Sequence, residues 1–207
     1  MKRLFTLLVL LGTFHSGIAQ RLFSEGVITY NVYTDGNKKE IGKYIVYVKG
    51  SFIKRELKLN NGYENRTIYN GKEGTSATLK RIQGTPYALM LSKQEVMEAG
   101  KAFAGAKYTF EKNKVNIAGY NAVQGTATYR SGKKVNMSIT YDLRSEDQHF
   151  LTMFPNLNGI PLEYSMDNGN SSMRFVADKV EIRNVGSEEF IIPKNYKIVT
   201  KEELEGQ

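Results

Sequence analysis

Along most of this chain apolar and polar residues alternate with a period of two, and short breaks rich in Gly, Asn and Asp interrupt the alternation. Between residues 26 and 91, runs of Val, Ile, Tyr and Thr are punctuated by Asp35-Gly36, Asn61-Gly62, Asn70-Gly71 and Gly84. Such steps accept the backbone conformations of tight turns, so the pattern predicts antiparallel strands at 26–34, 42–49, 51–60, 63–70, 75–82 and 86–91. Ile53, Leu57 and Leu59 share one parity, with Lys54, Glu56 and Lys58 between them. One face of this sheet is therefore buried and the other wet, and a one-sided sheet requires a cover.

The period changes after Leu91. Ser92-Lys93-Gln94-Glu95 has the form of a capping box, in which the serine hydroxyl accepts from the Glu95 amide and the Glu95 carboxylate reaches back. Leu91 and Val96 occupy the two positions of a hydrophobic staple around that cap. Val96, Met97, Ala99, Ala102 and Phe103 then predict a helix that is apolar over much of its surface and ends near Gly105.

Strands are predicted again at 107–118, 120–130 and 134–142. The last has a clean alternation, with Val135, Met137, Ile139 and Tyr141 on one face and Asn136, Ser138 and Thr140 on the other. Residues 145–159 break the pattern and read as a short helix or an apolar loop packed near the mouth of the sheet. Strands at 160–167 and 171–184 form a hairpin around Asp167-Asn168-Gly169-Asn170. In the second of them Met173, Phe175 and Ala177 have one parity, Val180 and Ile182 the other. A β-bulge near Asp178 and Lys179 would keep both sets on one face. The expected fold is mainly β: a strongly curved antiparallel sheet or unclosed barrel with a helix across its mouth, with a β-sandwich as the alternative.

The first nineteen residues do not belong to that pattern. Lys2 and Arg3, the apolar run Leu4 to Leu11, and the small residues Gly17 and Ala19 have the three parts of a secretory signal peptide, with cleavage expected after Ala19. Residues 20–207 are then one β domain, with a polar tail from Thr200 that frays or forms one helical turn. No later stretch is apolar enough to span a bilayer. A periplasmic or secreted location is expected. The absence of cysteine removes disulfides, thiolate chemistry and lipidation of a cysteine, so a lipoprotein is not expected. The formal charge of +8 includes Lys2 and Arg3 of the leader, which leaves +6 for the remainder, without any block of basic residues. Nucleic acid is not an expected partner of an exported chain of this kind.

Chemistry-bearing residues are sparse. Asp142, Glu146, Asp147 and His149 offer carboxylates and an imidazole within eight positions, a weak candidate for a hard metal or for acid-base work. The same residues are accounted for by a short helix capped by Ser145, with Glu146 and Asp147 complementing its dipole. No nucleophile elbow, phosphate loop or dinucleotide fingerprint is present. No catalytic residue, no cofactor and no enzymatic activity are therefore expected, a metal-assisted activity at His149 being the remaining enzymatic reading. Aromatic residues suggest more. On a concave sheet they either fill the core or line a cleft for an apolar ligand. The candidate lining is Val135, Met137, Ile139 and Tyr141, with Met173 and Phe175 from the neighbouring hairpin. Met97 and Phe103 of the lid helix and Phe150 and Phe154 of the second covering segment complete it.

Four short stretches carry a resemblance: Gly26-Val27-Ile28-Thr29-Tyr30, Ile117-Ala118-Gly119-Tyr120-Asn121-Ala122, Asn158-Gly159-Ile160-Pro161-Leu162-Glu163-Tyr164 and Phe190-Ile191-Ile192-Pro193-Lys194-Asn195-Tyr196. In these the chain resembles the GLPGLI-type family of exported bacterial proteins and related domains of unknown function. The resemblance implies a fold like that of the carrier LolA and its receptor LolB, an unclosed barrel with helices across its mouth. It departs from the family pattern at Ala122, where relatives often carry cysteine, and in having Gly-Ile-Pro for Gly-Leu-Pro. It brings no catalytic residue. Together these readings point to a non-catalytic binding or carrier-like protein for an acyl chain, a lipid or a lipoprotein segment. The alternative is a structural or interaction module of the envelope with a filled core, its partner an envelope protein.

Overall fold

In the computed structural model the described residues are 20–34, 36–145, 152–167 and 172–205; residues 1–19, 35, 146–151, 168–171 and 206–207 lie outside them. A short strand β1 (Arg21–Leu22) is followed by β2 (Glu25–Thr34), β3 (Glu40–Lys49), β4 (Phe52–Leu59), β5 (Glu64–Asn70), β6 (Thr75–Ile82) and β7 (Thr85–Leu91). Helix α1 (Lys93–Gly100) and a 3-10 turn at Lys101–Phe103 lead to β8 (Lys107–Ile117), β9 (Tyr120–Thr128), β10 (Lys134–Thr140) and β11 (Leu143–Arg144). The chain ends with β12 (Ile160–Asp167), β13 (Ser172–Glu181), a 3-10 turn at Ser187–Phe190, β14 (Lys197–Val199) and α2 (Lys201–Glu205).

Twelve strands form one sheet in the order β14-β7-β6-β5-β4-β3-β2-β13-β12-β10-β9-β8, and β1 pairs with β11 in a separate parallel ribbon. One continuous sheet, not two facing ones, replaces the sandwich alternative. Two meanders meet at β2 and β13, and α1 carries the chain from β7 near one edge to β8 at the other. The bulge expected near Asp178 and Lys179 is present. Ala177 faces Tyr30, Lys179 faces Thr29, and Asp178 is the extra residue, so Phe175, Ala177 and Val180 all turn toward the same core.

That core gathers Ile28, Tyr30 and Val32 of β2 and Val46 and Val48 of β3 with Val135, Met137 and Ile139 of β10 and Phe175 of β13. Residues from distant parts of the sheet meet there because the sheet curls on itself. It does not close. One edge is taken by β14, which lies parallel to Tyr87–Leu89 of β7. The other edge, β8, carries Lys107, Glu111, Lys112 and Lys114 and breaks register between Phe110 and Lys114, devices that discourage pairing with another chain. Phe110 lies over Gly125 of the next strand, where a Cβ would stand 2.5 Å from its ring.

Between β13 and β14 the chain crosses the convex face as a strap. Its start is pinned where the Val185 amide donates to Glu25 at 2.9 Å and Lys49 donates to the Val185 carbonyl at 2.6 Å. Farther on Phe190, Ile192 and Tyr196 pack on Ile68, Leu79 and Ala88. Under the strap Glu56 is only 6% exposed, with Lys54 at 3.0 Å, Arg66 at 3.4 Å and Lys58 at 3.7 Å. Lys54 also reaches Glu189 of the strap at 2.6 Å. Burial works against the Lys54 charge, but hydrogen bonds to Glu189 and Glu56 outweigh it and hold the ammonium above the ordinary lysine range. No helix among the described residues is long and apolar enough to cross a membrane.

Candidate functional site

Helix α1 forms as its sequence predicts, with both bonds of the capping box in place: the Glu95 amide donates to the Ser92 hydroxyl at 3.3 Å, and the Ser92 amide donates to the Glu95 carboxylate at 2.8 Å. It lies against the concave side of β6 and β7, yet none of its side chains is fully buried. Beneath it is a cavity of about 320 Å³. Strand register builds the floor. Val46, Arg55 and Thr67 stand side by side on β3, β4 and β5, and Tyr69, Ser76 and Leu91 form the next row on β5, β6 and β7. Val96 and Ala99 of α1 are the roof, and Met153, Phe154, Pro161, Tyr164 and Met166 close a side.

Tyr30 and Tyr44 complete the lining at the inner end. They belong to an aromatic wall in which Tyr164 stacks on Phe175 at 5.1 Å and Phe154 meets Tyr164 edge-on at 5.5 Å. The Tyr30 hydroxyl donates to the Pro161 carbonyl at 2.9 Å, and the hydroxyls of Tyr44 and Tyr164 are hydrogen-bonded to each other. Burial pushes all three phenols above the ordinary tyrosine range, and the positive charge of Arg55 acts on each in the opposite direction. The site is thus apolar, with one guanidinium and several neutral hydroxyls in its wall and no aspartate or glutamate among its described lining residues.

Of the lining expected from sequence, Phe154 borders this cavity. Val135, Met137, Ile139 and Phe175 are shut inside the core, at 4%, 3%, 0% and 1% exposure, with Met173 half-buried beside them. Phe103 packs edge-on against Tyr129, Tyr141 contacts Phe110 at the open side of the sheet, and Met97 of α1 is 59% exposed. Phe150 lies outside the described residues, as do Glu146, Asp147 and His149 of the weak metal candidate. Asp142, its remaining member, lies just past the end of β10 and is half-buried. Among the described residues no three of His, Asp and Glu group as a metal site.

Sequence reasoning missed Arg55, although a signal for it was present. It has the same parity as Ile53, Leu57 and Leu59, so it is a cation on the apolar side of β4. A larger groove, of about 730 Å³, lies on the convex side near Tyr63, Lys80, Arg81 and Tyr196. Its lining is mixed polar and apolar, and its Arg66 is engaged by Glu56 and Glu64.

The class of fold this geometry defines is an unclosed antiparallel barrel with a short helix over its concave side. No family model and no curated protein matches the chain. Among solved structures it is similar to PNGF-II, at 18% identity and a TM-score of 0.48, over 87% of this chain and 31% of that one. It is similar also to the MucA/MucB complex of Pseudomonas aeruginosa, at 11% identity and a TM-score of 0.46, over 85% of this chain and 58% of that one. A β-barrel-like protein of unknown function from Brucella abortus, DUF1849, has 14% identity and a TM-score of 0.37, over 80% of this chain and all of that one. Likenesses of this degree carry no function across, and the fold rests on the strand pairing itself.

Proposed function

We propose that this chain is a non-catalytic binding or carrier-like protein of the bacterial cell envelope that holds an acyl chain between the concave sheet and α1. The observation that carries this reading is the cavity of about 320 Å³ lined chiefly by aliphatic and aromatic side chains under a lightly seated helix. The leader-like residues 1–19 and the resemblance to GLPGLI-type exported proteins support an envelope location. At about 30 Å³ per heavy atom, the share of one water in the liquid, the cavity takes on the order of ten chain atoms. Moving ten methylenes out of water contributes about 8 kcal/mol at about 0.8 kcal/mol each, of which association consumes about 4 kcal/mol or more. Holding is reversible at that affinity, as a carrier requires.

Ser76 is 8% exposed and faces the cavity from β6, so Ser76→Phe places a ring in that space. Native mass spectrometry with added medium-chain 1-alkanols, neutral probes, is expected to show a one-to-one adduct that Ser76→Phe abolishes. Absence of uptake, or uptake that the substitution leaves unchanged, overturns the reading. It would leave the alternative, an interaction module with a filled core, which the closed packing around Met137 and Phe175 favours.

A further inference from the structure

The outer face of β9, β10, β12 and β13 is the side of the sheet away from the cavity under α1, and the strap, seated on Ile68, Leu79 and Ala88, covers a different stretch. Register builds this face in rows. Gln124, Ser138 and Glu163 stand side by side, Thr126 and Asn136 form the next pair, and Ser165 faces Arg174. Two register shifts flank the rows, one between Ser138 and Ile139 against β12 and one between Phe110 and Lys114 of β8. Such irregularities bend their strands, and the surface between them is hollowed into a groove of about 360 Å³ that Glu111 also lines. The depth of the hollow shows at Ser138, which points outward yet is only 2% exposed.

The floor is fixed by its own bonds. Glu163 accepts from Arg174 at 2.8 Å and from the Ser138 hydroxyl at 3.1 Å, and the Arg174 guanidinium lies over the Tyr33 ring at 4.9 Å. With that pair matched, the Glu111 carboxylate in the wall opposes an anion, and Arg174 in the floor opposes a cation. Above the floor the Thr126 hydroxyl donates to the Asn136 carbonyl oxygen at 3.2 Å, which turns the Asn136 amide donors outward. The side chains of Gln124 and Ser165 have no partner among the described residues. An apolar ligand would strip these groups of water and return no hydrogen bond. Carboxamides and hydroxyls each combine donor and acceptor, as the hydroxyls of a sugar do. At about 30 Å³ per heavy atom the groove takes about twelve heavy atoms, the size of one hexose. We propose that it binds one neutral hexose unit of a glycan, held by the Gln124 and Asn136 carboxamides and the Ser165 hydroxyl over the paired Glu163 and Arg174. The assignment does not depend on what the cavity under α1 holds.

Saturation-transfer NMR titration of the full chain with the methyl glycosides of glucose, mannose and galactose, and with methyl glucuronide as the anionic comparison, tests it. At least one neutral glycoside is expected to bind, and more tightly than the glucuronide. Gln124→Ala and Asn136→Ala should each weaken that binding about fivefold, the weight of about one hydrogen bond, at unchanged melting temperature, since both side chains are exposed. Asn136→Asp keeps the acceptor for Thr126 and loses the donors, so it should weaken binding as well. Ser76→Phe, in the other cavity, should leave it as it was. Binding of none of the three glycosides, or an affinity that the Gln124 and Asn136 variants leave unchanged, overturns the site. Binding lost in Ser76→Phe overturns it in favour of the cavity under α1, and tighter binding of the glucuronide overturns the neutral class. Should one alanine variant lose the fold, the other decides.

Discussion

Two halves of one concave face are covered in different ways. Over β8 to β13 the cover is the irregular segment 152–157, held down by tyrosine hydroxyls that donate to its backbone: Tyr129 to the Met153 carbonyl at 2.6 Å and Tyr108 to the Pro155 carbonyl at 2.8 Å. Phe154 and Leu157 of that segment are buried, as are Val135, Met137, Ile139 and Phe175 of the strands in this half. Over β3 to β7 the cover is α1, eight residues of straight helix that bury no side chain completely. An irregular segment can follow a concave surface residue by residue. A short rod touches it only along one line, here chiefly at Val96, and the cavity is what lies between. The concave faces differ as well: the open half carries Arg55, Thr67 and Ser76 where the closed half carries Val135, Met137, Ile139 and Phe175.

The largest effect that separates the halves should come from truncating a ring in the closed one. Phe175 is 1% exposed and packs between Tyr44 and Tyr164. Phe175→Ala is expected to cost about 3–5 kcal/mol, read as a lowered denaturant midpoint at unchanged slope. Leu91→Ala, where the side chain already borders empty space, should cost about 1 kcal/mol or less because fewer packed atoms lose partners. Equal losses at the two positions would mean that the cavity is closed in solution.

This division also marks how far the sequence was legible. Alternation located the strands, the Ser92 to Glu95 cap located α1, and the parity switch after Ala177 located a bulge that the strand register contains. The same alternation showed that Val135, Met137, Ile139 and Phe175 face inward, but inward says nothing about whether a face is filled. That depends on contacts with residues far away in sequence, such as Tyr129 with Met153, for which one-dimensional patterns hold no signal. Arg55 was legible in principle as a charge at apolar parity. The convex strap was not: Phe190, Ile192 and Tyr196 lie in a loop whose apolar residues follow neither period, and β14 is only three residues long.

A smaller effect should follow from loosening the cover of the closed half. Tyr129→Phe removes the donor to the Met153 carbonyl and is expected to cost about 1–2 kcal/mol, the net bond plus the acceptor left unpaired. It should also let the bound chain lengthen, since Met153 borders the cavity; the measurement is the affinity profile over fatty acids of increasing length. Burial pushes the Tyr129 hydroxyl up to about 12. Its contribution to stability is thus complete below the ordinary tyrosine range and lost as pH rises through that value. Tyr129→Phe should flatten part of the alkaline limb, the part left over belonging to Tyr108 and the buried tyrosines of the inner wall, which burial also raises. An unchanged limb and length profile would remove Tyr129 from the cover.

The smallest effect concerns the convex side and should leave the cavity untouched. Glu25 accepts from Lys49 at 2.8 Å and from the Val185 amide at 2.9 Å, and these hydrogen bonds, that of Lys49 foremost, hold its carboxyl below the ordinary carboxylate range. With the folded-state value depressed, the unfolded chain binds the proton more readily. The anchoring contribution is therefore present above the ordinary carboxylate range and is lost as pH falls through the lowered value. Hydrogen exchange of the strap amides from Val185 to Phe190 should quicken between neutral pH and about pH 3, after allowance for intrinsic rates. Glu25→Gln keeps the acceptor for Val185 but not the charge facing Lys49, so it should remove much of that pH dependence while binding of the 1-alkanol probes at neutral pH stays as it was. A strap whose protection follows the same acid profile in the Glu25→Gln variant would assign its anchoring to the Lys54 bridge to Glu189 and to the packing of Phe190, with Glu25 a bystander.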